Sequence, residues 1–249
     1  MRTEESILEG RNAIIEAMRS GVTIDKLFIL DGSREGSLKG IVRDAKKTGV
    51  PVTFVNRQRL DQLSATGKHQ GVIAYAAAYA YREIEDILTL ARERGEQPFV
   101  VLLDGIEDPH NLGAIIRSAN MAGAHGVIIP KRRAVGLTAT VAKASAGALA
   151  YTPVVRVTNL VAAIEELKKE GLWFVSASME GKPMYEVDMT GPIGLVVGNE
   201  GSGVSRLVEE ACDLYARIPT VGNIDSLNAS VAAGILAFEI VRQRGSKIQ

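Results

Sequence analysis

Three segments of the 249-residue chain place polar and small side chains where chemistry could occur. The first is Asp108-Pro109-His110-Asn111-Leu112-Gly113, which follows the apolar run at residues 99–103 and opens a helical pattern reaching about Ala122. Asn111 suits a helix N-cap, with Leu112, Ile115, Ile116 and Ala119 forming a buried stripe behind it. Arg117 falls roughly opposite that stripe. It is either a solvated surface arginine or a guanidinium placed to grip a phosphate or carboxylate.

The second segment is Gly198-Asn199-Glu200-Gly201-Ser202-Gly203, between an apolar strand at residues 193–197 and a helix expected from Val204. Backbone N–H groups in such a loop can cradle an anion or polar ligand. Two familiar phosphate loops nearly fit and fail. Val204 stands where a P-loop requires lysine, and Arg206 stands where a dinucleotide fingerprint requires its third glycine. A ligand-free glycine turn, with Glu200 merely favourable near a helix N-terminus, is the plain reading.

The third segment runs from Ile218 to Asn228 and feeds the last helix. Ser226 there is accounted for by N-capping alone. Asn228, read as lying one turn into the helix, is an indifferent helix former whose amide calls for a purpose. The helix carries two apolar stripes, one of Leu227, Val231, Phe238 and Val241, the other of Ala229, Ala233, Leu236 and Ile240, with Asn228 and Glu239 on a narrow polar strip. A helix apolar on two sides is buried on two sides. One side suits a sheet and the other a second subunit.

Composition removes several classes of function. The single cysteine, Cys212, forbids an internal disulfide framework, and His69, His110 and His125 are scattered, so no metal centre is expected. The first ten residues have no apolar core of a secretory signal, and the longest apolar run, residues 72–81, is far short of the ~20 residues that span a bilayer. These features point to a soluble, cytoplasmic protein without a membrane partner. With 29 Lys+Arg against 29 Asp+Glu, the total charge makes no case for nucleic acid. Local clusters do. Lys131, Arg132 and Arg133 follow the strand at residues 126–129, and Arg57, Arg59, Lys68, His69 and Gln70 lie near strand ends of the first part; each is ordinarily a solvated face, but together they could bind a phosphate backbone.

These residues must be positioned by two α/β units. Residues 1–77 read as a small alternation of helices near 11–19 and 38–47 with strands at 26–30, 52–55 and 71–75, and a short helix from Arg57. The charged, helix-permissive stretch within residues 78–98 reads as the connection. From residue 99 onward, buried-type runs at 99–103, 126–129, 153–157, 172–176 and 193–197 alternate with helical patterns, the signature of a parallel sheet covered on both faces. Ligands of such sheets sit at the carboxyl ends of the strands, where all three segments fall.

Taken in order, D-P-H-N-L-G-A-I-I-R, L-V-V-G-N-E-G-S-G-V-S and I-P-T-V-G-N-I-D-S-L-N-A-S-V-A resemble the three signature motifs of the SpoU (SPOUT) class of RNA ribose 2′-O-methyltransferases. Residues 1–77, including Lys68-His69-Gln70-Gly71, are similar to the L30e-like substrate-binding domain that accompanies some members. The resemblance implies a C-terminal parallel-sheet domain with a trefoil knot at residues 99–249, an RNA-binding domain at 1–77 and a linker at 78–98. It also implies S-adenosylmethionine as cofactor and a homodimer with the active site near the subunit interface. General topology rules alone predict an unknotted chain. Carried over by motif position, the functional residues are Asn111, Arg117, Glu200, Ser226 and Asn228, with Gly198, Ile218 and Leu227 as the cofactor cradle.

Within the class the likeness is greatest to enzymes that methylate a guanosine ribose of 23S ribosomal RNA, because the members acting on tRNA usually lack the first domain. The same reaction on tRNA is the alternative, and a non-catalytic RNA-binding ribosome-assembly protein is the alternative of another kind. The reaction needs neither metal nor covalent intermediate, only alignment and help with the hydroxyl proton. A guanidinium is a poor base at neutral pH. The role expected of Arg117 is therefore to fix the target phosphate and stabilise negative charge on the ribose oxygen.

Overall fold

The computed structural model describes residues 7–33, 36–222 and 226–245, which form two units. The first takes the chain up to Ala80 together with Gly136–Ala142, and the second takes Tyr81–Val135 and the chain from Lys143 onward.

The first unit begins with β1 (Ile7–Glu9), α1 (Arg11–Arg19) and β2 (Ile24–Leu30), and continues with α2 (Gly36–Thr48), β3 (Val52–Val55), α3 (Arg57–Leu63) and β4 (Val72–Ala76). Its sheet order is β1-β4-β2-β3, with β2 and β3 parallel and the other pairs antiparallel. Alternation along β2 explains how both faces are covered. Leu27 and Ile29 pack with Ile14 of α1 and Ile41 of α2, while Phe28 turns to the opposite face with Leu60 of α3 and Ile73. The three-residue β1 gives no readable alternation, and sequence periodicity misses it. The segment Gly136–Ala142 is tied in by Ala78, whose N–H donates to the Leu137 carbonyl at 2.7 Å, and Gly136 is required because a Cβ there would lie 2.1 Å from the buried Asp25 carboxylate.

The second unit comprises α4 (Ile84–Arg94), β5 (Phe99–Asp104), α5 (Pro109–Met121), β6 (Gly126–Pro130), α6 (Ala139–Ala144), β7 (Val154–Val157) and α7 (Leu160–Lys169), followed by β8 (Trp173–Pro183), β9 (Ile193–Gly198), α8 (Arg206–Glu210), β10 (Leu214–Arg217) and α9 (Ala229–Gln243); of these, α6 straddles the boundary. The stretch read as a connection is largely α4, whose Ile87 and Leu88 join the core. The spacing of Ile84, Ile87, Leu88 and Ala91 gives one apolar stripe beneath a charged face.

All six strands run parallel in the order β10-β8-β9-β5-β6-β7. The central β5 and β9 are continuous apolar runs because both faces are covered. On one face α4, α7 and α8 enclose Val100, Leu102, Ile128, Phe174 and Val196. On the other, α5 and α9 pack against each other. The chain lays β6 and β7 to one side of β5, then returns to place β8, β9 and β10 on the other, so strand order reverses between β5 and β9. A crevice opens at such a switch point, outside the carboxyl ends of the two strands.

One edge departs from regular pairing. β10 runs in register with β8 at Leu214 and Tyr215, then jumps so that Ala216 pairs with Lys182, which leaves residues 177–181 bulging out of the ladder. Gly181 allows this, since a Cβ there would sit 2.5 Å from the Tyr215 backbone.

Candidate functional site: a cradle at the switch point

Two loops leave the switch point, one after β5 and one after β9, and they are tied together. The Asp104 carboxylate accepts from the Ser205 N–H at 2.8 Å, and the Asn199 amide donates to the Gly105 carbonyl at 3.2 Å. The loop after β9 closes on itself, with Asn199 and Gly203 exchanging backbone hydrogen bonds at 3.1 and 2.8 Å. Gly198 has no room for a side chain, because a Cβ there would lie 2.1 to 2.2 Å from the backbone of Gly203 and Val204. Gly203 adopts φ +66°, the left-handed region that glycine enters without strain. The helix expected from Val204 begins at Arg206, with Ser205 in the cap position, because Val204 is drawn into the core beneath the loop.

Two other helix starts also differ from expectation. Asp108, not Asn111, caps α5; its carboxylate accepts from the N–H groups of His110 and Asn111, with Pro109 at the first helical position. Asn228, not Ser226, caps α9, accepting from the N–H groups of Ser230 and Val231 at 3.0 and 3.4 Å. Capping explains only the oxygen of Asn228.

Its amide nitrogen points to the other motifs. Asn228 Nδ2 donates to Asn111 Oδ1 at 2.9 Å and to Glu200 Oε1 at 3.3 Å. Asn111 Nδ2 donates to the same Glu200 oxygen at 2.5 Å, and the Ala229 N–H reaches it at 3.3 Å. With Asp108 satisfying the α5 terminus, the Asn111 side chain is free for this cluster. Glu200 thus sits at the N-terminus of α9, where a carboxylate is favoured by the helix dipole.

Beside the cluster a cavity of about 140 Å³, open to solvent, is lined by Gly198, Glu200, Ile218, Ser226 and Leu227. The bulge contributes Ala177, Ser178 and Met179 to the opposite wall. These wall residues were not found in the sequence, where only Gly181 hints at the irregularity. Residues 223–225 of the third motif lie outside the described residues. Arg117 is not brought to this place: it is exposed on α5, does not line the cavity, and forms no hydrogen bond or ion pair with any described residue. Cys212 is buried, and burial pushes its thiol up to about 12, so it is no nucleophile. In the first unit His69 is also internal, bonded through Nε2 to Asp61 and accepting the Gly71 N–H at Nδ1.

A parallel sheet with a glycine-built loop and a mostly apolar cavity at its switch point, beside an Asn–Glu–Asn cluster, is the arrangement in which α/β proteins bind ligands. Residues 98–238 match the SpoU rRNA Methylase family, and residues 7–82 match the domain described as RNA 2′-O ribose methyltransferase substrate binding. The chain belongs to the SpoU methylase family and is an S-adenosylmethionine-dependent RNA 2′-O-methyltransferase. It is 46% identical over 245 residues to the Bacillus subtilis protein named "Putative TrmH family tRNA/rRNA methyltransferase YacO", covering 98% of each chain. Among solved structures it is similar to the SpoU methyltransferase AviRb of Streptomyces viridochromogenes in complex with AdoMet, with TM-score 0.60 and 25% identity over 97% of this chain and 91% of that one. It is also similar to an AdoMet-bound rRNA methyltransferase of Sinorhizobium meliloti, with TM-score 0.56 and 25% identity over 95% and 86% of the two chains.

The residues present fit the cofactor. The absence of a side chain at Gly198 lets the loop after β9 fold tightly back beside the cavity, Leu227 and Ile218 offer apolar contact, and the cavity wall is mostly apolar with a few convergent polar groups, as a nucleoside site requires.

Proposed function

We propose that this enzyme methylates the ribose 2′-hydroxyl of a guanosine in 23S ribosomal RNA, as a cytoplasmic homodimer whose C-terminal loops form a trefoil knot. The observation that carries the reading is the Asn111–Glu200–Asn228 cluster, which joins all three motifs at the mouth of the cavity. The presence of a substrate-binding unit at residues 7–82 supports ribosomal RNA over tRNA, since the tRNA members that the chain resembles usually lack it. The relatives' names allow tRNA, which is the second reading.

When bound, S-adenosylmethionine supplies a methyl carbon already activated on a sulfonium. Gly198, Ile218 and Leu227 would hold it, largely through backbone groups and apolar contact. Glu200 and Asn228 fix the loops around it, and Asn111 and Ser226 present polar atoms towards the incoming ribose. The group so held would supply the methyl that the ribose oxygen takes up, and the apolar wall around Ile218 and Leu227 would favour the loss of opposite charges. Arg117 fixes the target phosphate and stabilises negative charge on the oxygen.

Because Arg117 lies apart from the cavity of its own chain, we assign it to the cavity of the partner subunit. The exposed stripe of α9, with Val231 and Phe238 both nearly half exposed, and the neighbouring Met121 of α5 form the dimer surface. The Ala233, Leu236 and Ile240 side is already buried, and Glu239 of the narrow polar strip is buried with it and paired to Arg242.

The test is incubation of the purified protein with methyl-labelled S-adenosylmethionine and separated ribosomal RNA and tRNA, followed by mapping of the label. Label on a 23S guanosine ribose is expected. Label in tRNA alone moves the assignment to the second reading, and RNA binding without label in either points to an assembly protein.

A further inference from the structure

The cavity is lined from β8, β9 and β10 and the segments that follow β9 and β10, together with α9, and none of its lining comes from the strand ends of β6 and β7. The end of β6 carries instead the turn Lys131-Arg132-Arg133-Ala134-Val135, directly after the strand. None of the three cationic side chains forms an ion pair or hydrogen bond with a described residue. Arg132 and Arg133 are exposed. Three unpaired cations in succession repel one another, and they are kept there by a backbone that is fastened at both ends.

At the near end the Lys131 N–H donates to the Val157 carbonyl at 2.8 Å, and the Lys131 carbonyl accepts from Arg156 Nη2 at 3.3 Å. Arg156 is itself held with its guanidinium 5.3 Å from the centre of the Tyr81 ring. At the far end the Val135 N–H donates to the Ile106 carbonyl at 3.0 Å. Ile106 lies in the β5–α5 loop, two residues before the Asp108 cap that sets α5 and so places Asn111. Between these ties Arg133 takes φ +56°, a left-handed conformation that costs a non-glycine residue of order 1 kcal/mol. The turn is thus shaped in advance, on the carboxyl side of the sheet, and coupled by hydrogen bond to the loop that enters the catalytic cluster.

We propose that the Lys131–Arg133 turn binds consecutive phosphates of the RNA strand carrying the target ribose, so that the strand-end edge is divided into a donor half over β10, β8 and β9 and an RNA half over β5, β6 and β7. This rests on the proposed RNA 2′-O-methylation and names where its substrate backbone lies. Phosphate, not a base, is the ligand, because point charges on a fixed turn supply position without an edge to read bases.

The test compares wild type with Arg132→Ala/Arg133→Ala and with Lys131→Ala, using a 23S ribosomal RNA transcript. Transcript affinity is measured against salt concentration, and S-adenosylmethionine affinity is measured separately on the same full-length dimer. Each lost single-strand phosphate contact lowers the salt slope by about 0.7, so the double variant should lose about 1.4 of the slope and bind RNA roughly tenfold more weakly at moderate salt. Cofactor affinity should be unchanged. Arg132→Lys, which keeps the charge, should retain the wild-type slope. Arg133→Gly, which removes the charge at a positive-φ position that glycine enters without strain, should still lose slope. Wild-type slope and RNA affinity in the double variant overturn the inference while leaving methylation by the wild type intact. Failure of the wild type to methylate any RNA overturns the functional reading, and the slope comparison still decides whether this turn holds phosphate.

Discussion

Asn228 donates its amide to Asn111 Oδ1 at 2.9 Å although the two are 117 positions apart, and one oxygen of Glu200 accepts from both side chains. Glu200 is therefore the shared acceptor of the site. Glu200→Ala removes the charged acceptor shared by the Asn111 and Asn228 amides and the Ala229 N–H, and a hydrogen bond to a charged group contributes about 1.5–3 kcal/mol. Cofactor affinity measured by calorimetry should fall by about tenfold or more. Glu200→Gln keeps an acceptor oxygen and should lose less. Equal, wild-type affinity in both variants would remove Glu200 from the site.

Arg117 should separate binding from chemistry, because it forms no hydrogen bond or ion pair with a described residue and does not line the cavity. Arg117→Lys should leave cofactor affinity unchanged and slow single-turnover methylation by about 10²- to 10³-fold, the usual consequence of losing a positioned donor to developing negative charge. A lysine variant with a normal rate would show that neither the planar fork nor the position matters.

What could be read from the sequence follows physical range. The three motifs and the central strands were legible because their signals are local: continuous apolar runs for strands buried on both faces, and glycine or Asn-rich loops just beyond them. The caps were displaced by a few positions, since Asp108 and Asn111, or Ser226 and Asn228, are equally competent chemically and only tertiary placement selects one. Asn111 is spared from capping because Glu200, nearly ninety residues later, claims its amide. The bulge at residues 177–181 was not legible at all, because it exists only through pairing with Tyr215 and Ala216. The edge strands β1 and β10 are too short to show a period, and the burial of α4 was hidden beneath the charges on its outer face.

Cys212 offers a probe of the second unit's integrity. Burial against Val208 and its neighbours, with Asp213 adding repulsion to a thiolate, pushes its thiol up to about 12. A neutral, enclosed thiol reacts slowly. Native protein should therefore resist alkylation by iodoacetamide at about pH 8 and label fully in denaturant. Rapid native labelling would show that the α8 end of the core opens readily.

His125 should make stability depend on pH in a defined direction. It is fully buried; Nδ1 accepts the Phe99 N–H at 3.0 Å, which places the ring proton on Nε2, facing Glu96 Oε2 at 3.0 Å. Burial lowers its pKa below the ordinary 6.5, only partly countered by Glu96, with Arg94 and Arg244 adding to the decrease. The unfolded chain consequently takes up a proton near 6.5 that the folded chain refuses until lower pH. In that window the unfolded state binds more protons, so stability rises with pH and is lost as pH falls below the unfolded value. Thermal midpoints should decline from about pH 7.5 to about pH 5.5. Glu96→Gln keeps an acceptor but removes the charge that favours imidazolium, and should steepen the decline; His125→Asn should flatten it. Parallel profiles for wild type and His125→Asn would mean that this histidine does not set the acid limit.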